Sequence, residues 1–259
     1  MKRGLCWLAA GISLVAAAHA QGKAPRLTFD VASIRLSDQN AQGGGIKPLD
    51  GGHGYTAKGI PVKLMISLMY KVPMRQISGG PEWLNSDRYD VEARADGSYS
   101  LDDLHIMFQN LLADRFKLTF HKEIKEGNVY ALTIDSSGLK LKENDQAEDF
   151  RIPMTPGPMN EWTGIRVPMP YLCWWLGQQL QRDERPVIDK TGLEKKYDFK
   201  IAFMPILPPD FPKENIPPEL LDKPSIQDAL KQQLGLRIDP TRGPVEHFAI
   251  DHVERPSEN

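Results

Sequence analysis

Apolar positions along this chain recur with two different periods, and the switches between them mark out short elements. Leu27 to Ile34 alternates apolar and polar residues and predicts a first strand. A polar, glycine-rich stretch at 37–54 follows and reads as a surface loop. It holds neither a phosphate-binding lysine-serine pattern nor a dinucleotide fingerprint. Ile60 to Tyr70 is densely apolar, with Pro61 suited to a first helical turn, and predicts a short, largely buried helix. Its methionines read as core filler. Ile77 to Pro81 marks a turn and Arg88 to Ala93 the next strand.

Ser100 sits where its side chain can cap a helix, with Asp103 three positions on. Leu101, Leu104, Met107, Phe108, Leu111 and Leu112 then follow helical spacing. Residues 116–120 and 129–134 predict two paired strands, with the polar run 121–128 as the turn between them. Beyond Gly138 the pattern gives way to a charged, proline-rich passage, read as a connection over 139–160.

The second half repeats this plan. Tyr55-Thr56 is echoed by Trp162-Thr163, and Pro61 by Pro168, six residues after each aromatic. Tyr89-Asp90-Val91 is echoed by Tyr197-Asp198-Phe199, and the Ser100 cap by Ser225. Leu236 to Ile238 and His247 to Ile250 match the last two strands of the first half. The order in each half is strand, helix, strand, helix, strand, strand, which predicts an internal duplication. The fold class expected is α+β: two similar small modules, 21–138 and 161–259, each with helices packed on a small mixed β-sheet. An insertion is expected near 204–224.

The N-terminus adds a location. Lys2 and Arg3 precede an uncharged apolar run from Leu5 to Ala18, then Ala18-His19-Ala20. This is a secretory signal over 1–20, with cleavage expected after Ala20 and a periplasmic or extracellular mature chain. The run is short for a membrane span, and no later stretch is long and apolar enough for one. Cleavage removes Lys2 and Arg3, so the formal charge moves from −2 to −4, which gives no support for nucleic-acid binding. Cys173 is then the single cysteine, in an apolar setting, and reads as a buried structural thiol.

No zinc-binding His-Glu-x-x-His, compact His/Cys set or nucleophile elbow occurs, so no metal or cofactor is expected. The acidic residues around Tyr89-Asp90 and Tyr197-Asp198 read as structural pairing and turn capping. Five residues stand as ligand-binding candidates. Trp83, Trp174 and Trp175 offer broad rings, although at least one of the adjacent pair should serve packing. His121 and His252 occupy equivalent strand regions of the two modules.

Several ordered motifs resemble a soil-bacterial family built on domain of unknown function 3738. They are Phe29 to Ile34, Gln76 to Leu84, Ser86 to Ala93, Leu111 to Leu118, Pro186 to Leu193 and Ile250 to Pro256. Lys195-Lys196 departs from the glycine and arginine usual there. The resemblance implies an exported protein, associated with Acidobacteria and similar soil bacteria. Each half is also similar, more remotely, to the short N-terminal module of secretins and TonB-dependent transducers. Related domains sit outside sensors resembling the BlaR-type metallopeptidases, whose zinc motif this chain lacks. The function expected is binding or interaction in the cell envelope, with a peptide, polymer or protein as partner. A metal-independent extracellular enzyme and a structural envelope component are the alternatives.

Overall fold

The structure is a computed structural model that describes residues 26–38, 44–146, 150–180, 185–208 and 210–257. The expected signal segment 1–20 lies outside the described residues. No helix among the described residues is long and apolar enough to cross a membrane.

Each half builds an antiparallel four-stranded sheet. In the first, β1 (Val31–Leu36), β2 (Gly45–Pro48), β3 (Gly54–Pro61) and β5 (Arg88–Arg94) lie in the order β1-β5-β3-β2. In the second, β7 (Lys142–Glu143), β8 (Met154–Pro156), β9 (Glu161–Pro168) and β11 (Lys196–Ala202) lie in the order β7-β11-β9-β8. The two orders match strand for strand. The stretch 139–160, read from sequence as a connection, therefore supplies two strands to the second sheet. They are too short to show a period, which is why they read as linker.

The repeated Tyr-Asp motif has a structural reason. The third strand of each half, β3 or β9, carries an irregularity where one residue turns left-handed, Gly59 at φ 62° and Arg166 at φ 53°. The bulged amide is held by the motif's aspartate: Gly59 N–H donates to Asp90 Oδ1 at 3.0 Å, and Arg166 N–H to Asp198 Oδ1 at 2.8 Å. This pairing turns the chain into the helices α1 (Val62–Tyr70) and α4 (Met169–Gln179). The capping serines act as their spacing predicts. Ser100 accepts from Asp103 N–H at the start of α3 (Leu101–Arg115), and Ser225 from Asp228 N–H at the start of α6 (Ile226–Ala229), each at 3.1 Å. The last turn after α6 is a π-helix, Leu230–Leu234, ended by Gly235 at φ 66°. A Cβ there would overlap the Gly138 carbonyl oxygen. Two single-turn helices, α2 (Trp83–Ser86) and α5 (Pro218–Leu221), complete the set. Residues 95–99 join β5 to the α3 cap, whereas 203–224 join β11 to the α6 cap.

A third sheet joins the halves, in the order β10 (Val187–Asp189), β6 (Thr119–Ile134), β12 (Leu236–His252) and β4 (Ile77–Gly79). Its middle strands, β6 and β12, pair antiparallel along almost their whole length. The turn expected at 121–128 is absent: β6 runs straight through it. Those residues are polar because the middle of the ribbon faces solvent, and their backbone partners lie far away in sequence. The short edge strands are exchanged between the halves. β4, from the first half, pairs parallel with β12 at Phe248–Ile250. β10, from the second, pairs parallel with β6 at Tyr130–Leu132. Tyr130 corresponds to Phe248 and Lys122 to Pro240, both 118 residues on, and the pairs Tyr130/Pro240 and Lys122/Phe248 are both present. The ribbon therefore relates the two halves by an approximate two-fold.

Two hydrophobic cores result, and each is closed by the other half. Phe248 of β12 is buried in the first core, stacked 4.4 Å from Phe120 and edge-on to Tyr70 of α1. Leu132 of β6 is fully buried in the second core. Truncating a buried Phe to Ala lowers stability by about 3–5 kcal/mol. Phe248→Ala is therefore expected to loosen the first half, although the residue belongs to the second. Amide exchange should accelerate first in α1, more than in α4. An effect confined to the second half would show that the cores are not shared in this way.

Candidate functional site

The exchange of strands sets the two halves side by side and leaves a cleft between them. Its axis is Trp174, on α4. In that helix Leu172, Trp175 and Leu176 point into the second core, with Trp175 packed 5.2 Å from Trp162 and 5.9 Å from Phe203. Trp174 is one position, hence about 100°, further round the helix, and it stands beside Tyr171 with ring centroids 5.5 Å apart. Adjacent tryptophans thus have different surroundings, one in the core and one at the cleft.

Trp174 and Lys71 line both lobes of the cleft. One lobe, of about 240 Å³, is walled by Ile46, Tyr55, Leu68, His105, Ile152 and Tyr171. The other, of about 340 Å³, is walled by Val72, Gln76, Cys173, Val187 and Val245. First half, second half, connection and central ribbon all contribute. Lys71 arrives there because α1 ends on it in a left-handed conformation, φ 55°. Its Nζ donates to Asp102 Oδ1 at 2.8 Å and lies 5.8 Å from the Tyr171 ring centroid.

Burial decides the charge states. His105 is 8% exposed, and its pKa is lowered to about 4, first by desolvation and then by the charge of Lys71. Its Nε2 lies 3.2 Å from the Tyr55 hydroxyl, while Nδ1 is buried without a hydrogen-bond partner. The Trp174 indole N–H is also buried and unpartnered. Burial pushes Tyr171 up to about 12, helped by the Asp102 charge, and Cys173 up to about 12, helped by Asp189. Burial also raises Asp102, but the hydrogen bond and charge of Lys71 outweigh it and leave the carboxyl below its usual range. The cleft thus sets the Lys71–Asp102 ion pair beside neutral His105, Tyr171 and Cys173, with Lys47, Asp189 and Glu246 also on its walls.

The other sequence candidates lie elsewhere. Trp83 opens α2, edge-on to Tyr89, and the Arg255 guanidinium covers its ring at 5.1 Å while binding Asp87. His121 and His252 are exposed on the central ribbon, each tied to its own carboxylates. His121 Nδ1 lies 2.8 Å from Asp251 and its Nε2 3.4 Å from Glu123, whose hydrogen bonds raise its pKa; His252 Nε2 lies 2.7 Å from Glu254. No group of three or more potential metal ligands occurs among the described residues. A larger depression of about 560 Å³ lies on the outer face of the first sheet, by Gly44, Ile46, Thr56 and Lys58, but has no unpartnered buried polar group among its lining residues.

Over residues 63–253 the chain matches the model of a family described as protein of unknown function, DUF3738. The chain belongs to the DUF3738 family. The matched region runs from the second residue of α1 through all of β12, so it takes in the whole exchanged sheet and the second half, but of the first sheet only β5. No curated protein and no solved structure matches the chain.

Tyr55, Lys71, His105 and Tyr171 were not among the residues singled out from sequence. A signal existed for two of them. Tyr171 and Trp174 are three apart in an expected helix, hence on one face. Aligning the halves on their capping serines sets His105 opposite Leu230, which is fully buried in the second core. A histidine in place of a core leucine marks where the two halves differ.

The His105 shift has a signed consequence. Unfolded His105 takes up a proton near pH 6.5, whereas the folded residue resists down to about pH 4. The unfolded state binds more protons in that window, so stability falls as pH falls through it, by on the order of 3 kcal/mol. His105→Leu should flatten this part of the urea-midpoint profile between pH 7 and 4. A variant profile parallel to that of the parent would contradict the assignment.

Proposed function

We propose that this protein is a binding protein of the cell envelope that holds a peptide, or a peptide-bearing envelope polymer, in the cleft around Trp174. The observation that carries the reading is a two-lobed cavity between the halves with two unpartnered buried polar atoms on its lining residues, Trp174 Nε1 and His105 Nδ1. Buried polar groups are ordinarily satisfied, and an indole N–H can only donate. A ligand carbonyl answers that need, while Tyr171, Leu68, Ile152 and Val245 offer apolar contact to side chains. The envelope location rests on the secretory pattern at 1–20, and the kinship of each half to secretin and TonB-type modules on sequence resemblance. Both agree with a receptor for envelope material.

The test is a titration of the purified protein with a defined library of apolar-rich peptides and with purified glycan-peptide wall fragments, followed by indole fluorescence and melting temperature. Binding should raise the melting temperature. Trp174→Ala should weaken it by about thirtyfold, the scale of an aromatic anchor, while Trp83→Ala leaves it unchanged. An affinity insensitive to Trp174, or one lost with Trp83 instead, would remove the cleft from consideration.

A further inference from the structure

The two outer edges of the central ribbon are not alike. Tyr130 N–H points away from β12 and donates to the Pro186 carbonyl at 2.8 Å. Its opposite residue, Pro240, is therefore in a non-hydrogen-bonded pair and faces outward on the other edge. The ladder keeps one register from Leu236/Ile134 to Ile250/Phe120. Hence every even-numbered residue of β6 and β12 in that span turns its backbone polar groups outward. On β12 two of these positions are Pro240 and Pro244, which have no N–H to offer an added strand. The two-fold-related positions on β6 are Lys122 and Glu126, which have one.

β10 covers the β6 edge only at Tyr130–Leu132. Among the described residues, no backbone hydrogen bond reaches the outward groups of Phe120, Lys122, Ile124 or Glu126. The uncovered stretch runs from Thr119, where β6 starts, to Val129, and its midpoint is Ile124. That isoleucine is 73% exposed. Around it the sequence reads Lys122-Glu123-Ile124-Lys125-Glu126, which is charge-complementary to itself when reversed.

We infer that β6 is a self-association edge, on which a second copy of this chain pairs antiparallel with Ile124 on the two-fold axis. In that register Lys122 faces Glu126 of the second copy, Glu123 faces Lys125, and Ile124 faces its own counterpart. The even-numbered residues meet as hydrogen-bonded pairs, which matches the direction of their free groups. Shifting the register by two residues sets Glu123 against Glu123 or Lys125 against Lys125, so like charges disfavour the neighbouring alignments. Pairs already present within the chain, Lys125 with Glu123 at 2.6 Å and Lys122 with Glu246 at 3.1 Å, are solvent-exposed and weak, so they yield readily. The contact is isologous and closes at a dimer.

Sedimentation of the purified protein over a range of concentrations tests this. The parent should pass reversibly from monomer to dimer. Glu123→Lys or Lys125→Glu alone should raise the dimer dissociation constant tenfold or more, and the double exchange should restore it. Ile124→Cys should form an intermolecular disulfide under mild oxidation much faster than Val31→Cys, a comparably exposed strand position. A monomer at every concentration overturns the proposal. So does a dimer indifferent to both charge changes, or a β6 edge protected from amide exchange only by added extended peptides.

Discussion

The antiparallel pairing of β6 with β12 is the constraint on which the rest of this structure depends. The two strands come from opposite halves, yet they share one register from Leu236/Ile134 to Ile250/Phe120. Because each edge strand of the ribbon also crosses over, neither hydrophobic core is complete within its own half. Phe248 fills the first core and Leu132 the second. Side chains alternate across a strand, so a slip of one residue in the ribbon would turn both away from the cores they fill. Cooperativity between the halves is thus built into the backbone pairing, without a large flat interface between two finished domains.

The cleft follows from that pairing. With the halves held side by side, the end of α1, the exposed face of α4 and the connecting segment meet over the ribbon. The groups gathered there share one physical circumstance, loss of water, and it acts on each in a definite direction. His105 stays neutral, Tyr171 and Cys173 stay protonated, and the charge of Asp102 persists because Lys71 stands against it. Neutral hydrogen-bonding groups and apolar side chains therefore share the cleft walls with Lys47, Lys71, Asp189 and Glu246. The repeated plan alone does not account for this lining, since His105 occupies the position of Leu230 and Trp174 belongs to one half only.

The same difference between the halves shapes the ribbon's edges. One carries prolines at its outward positions and the other carries free backbone donors under a self-complementary run of charge. The symmetry of pairing holds where the strands meet and fails where they face solvent, at the cleft and at the edge alike.

Much of this was legible in the residues. The Tyr-Asp motifs, the capping serines and the proline before each first helix act through neighbours or through a strand of the same sheet. Local pattern therefore determined α1, α3, α4 and α6, the strands β1, β5 and β11, the repeated order of motifs and the α+β class. The tertiary structure decided three things. It made one strand of residues 119–134, because a polar run satisfied by a partner over a hundred residues away looks like a turn when read alone. It gave Trp174 and Trp175 different surroundings, which sequence adjacency conceals. It also brought Tyr55, Lys71, His105 and Tyr171 to a single cleft, since their meeting depends on long-range strand exchange. Local chemistry writes the elements of this protein, but which edges pair is a property of the whole chain.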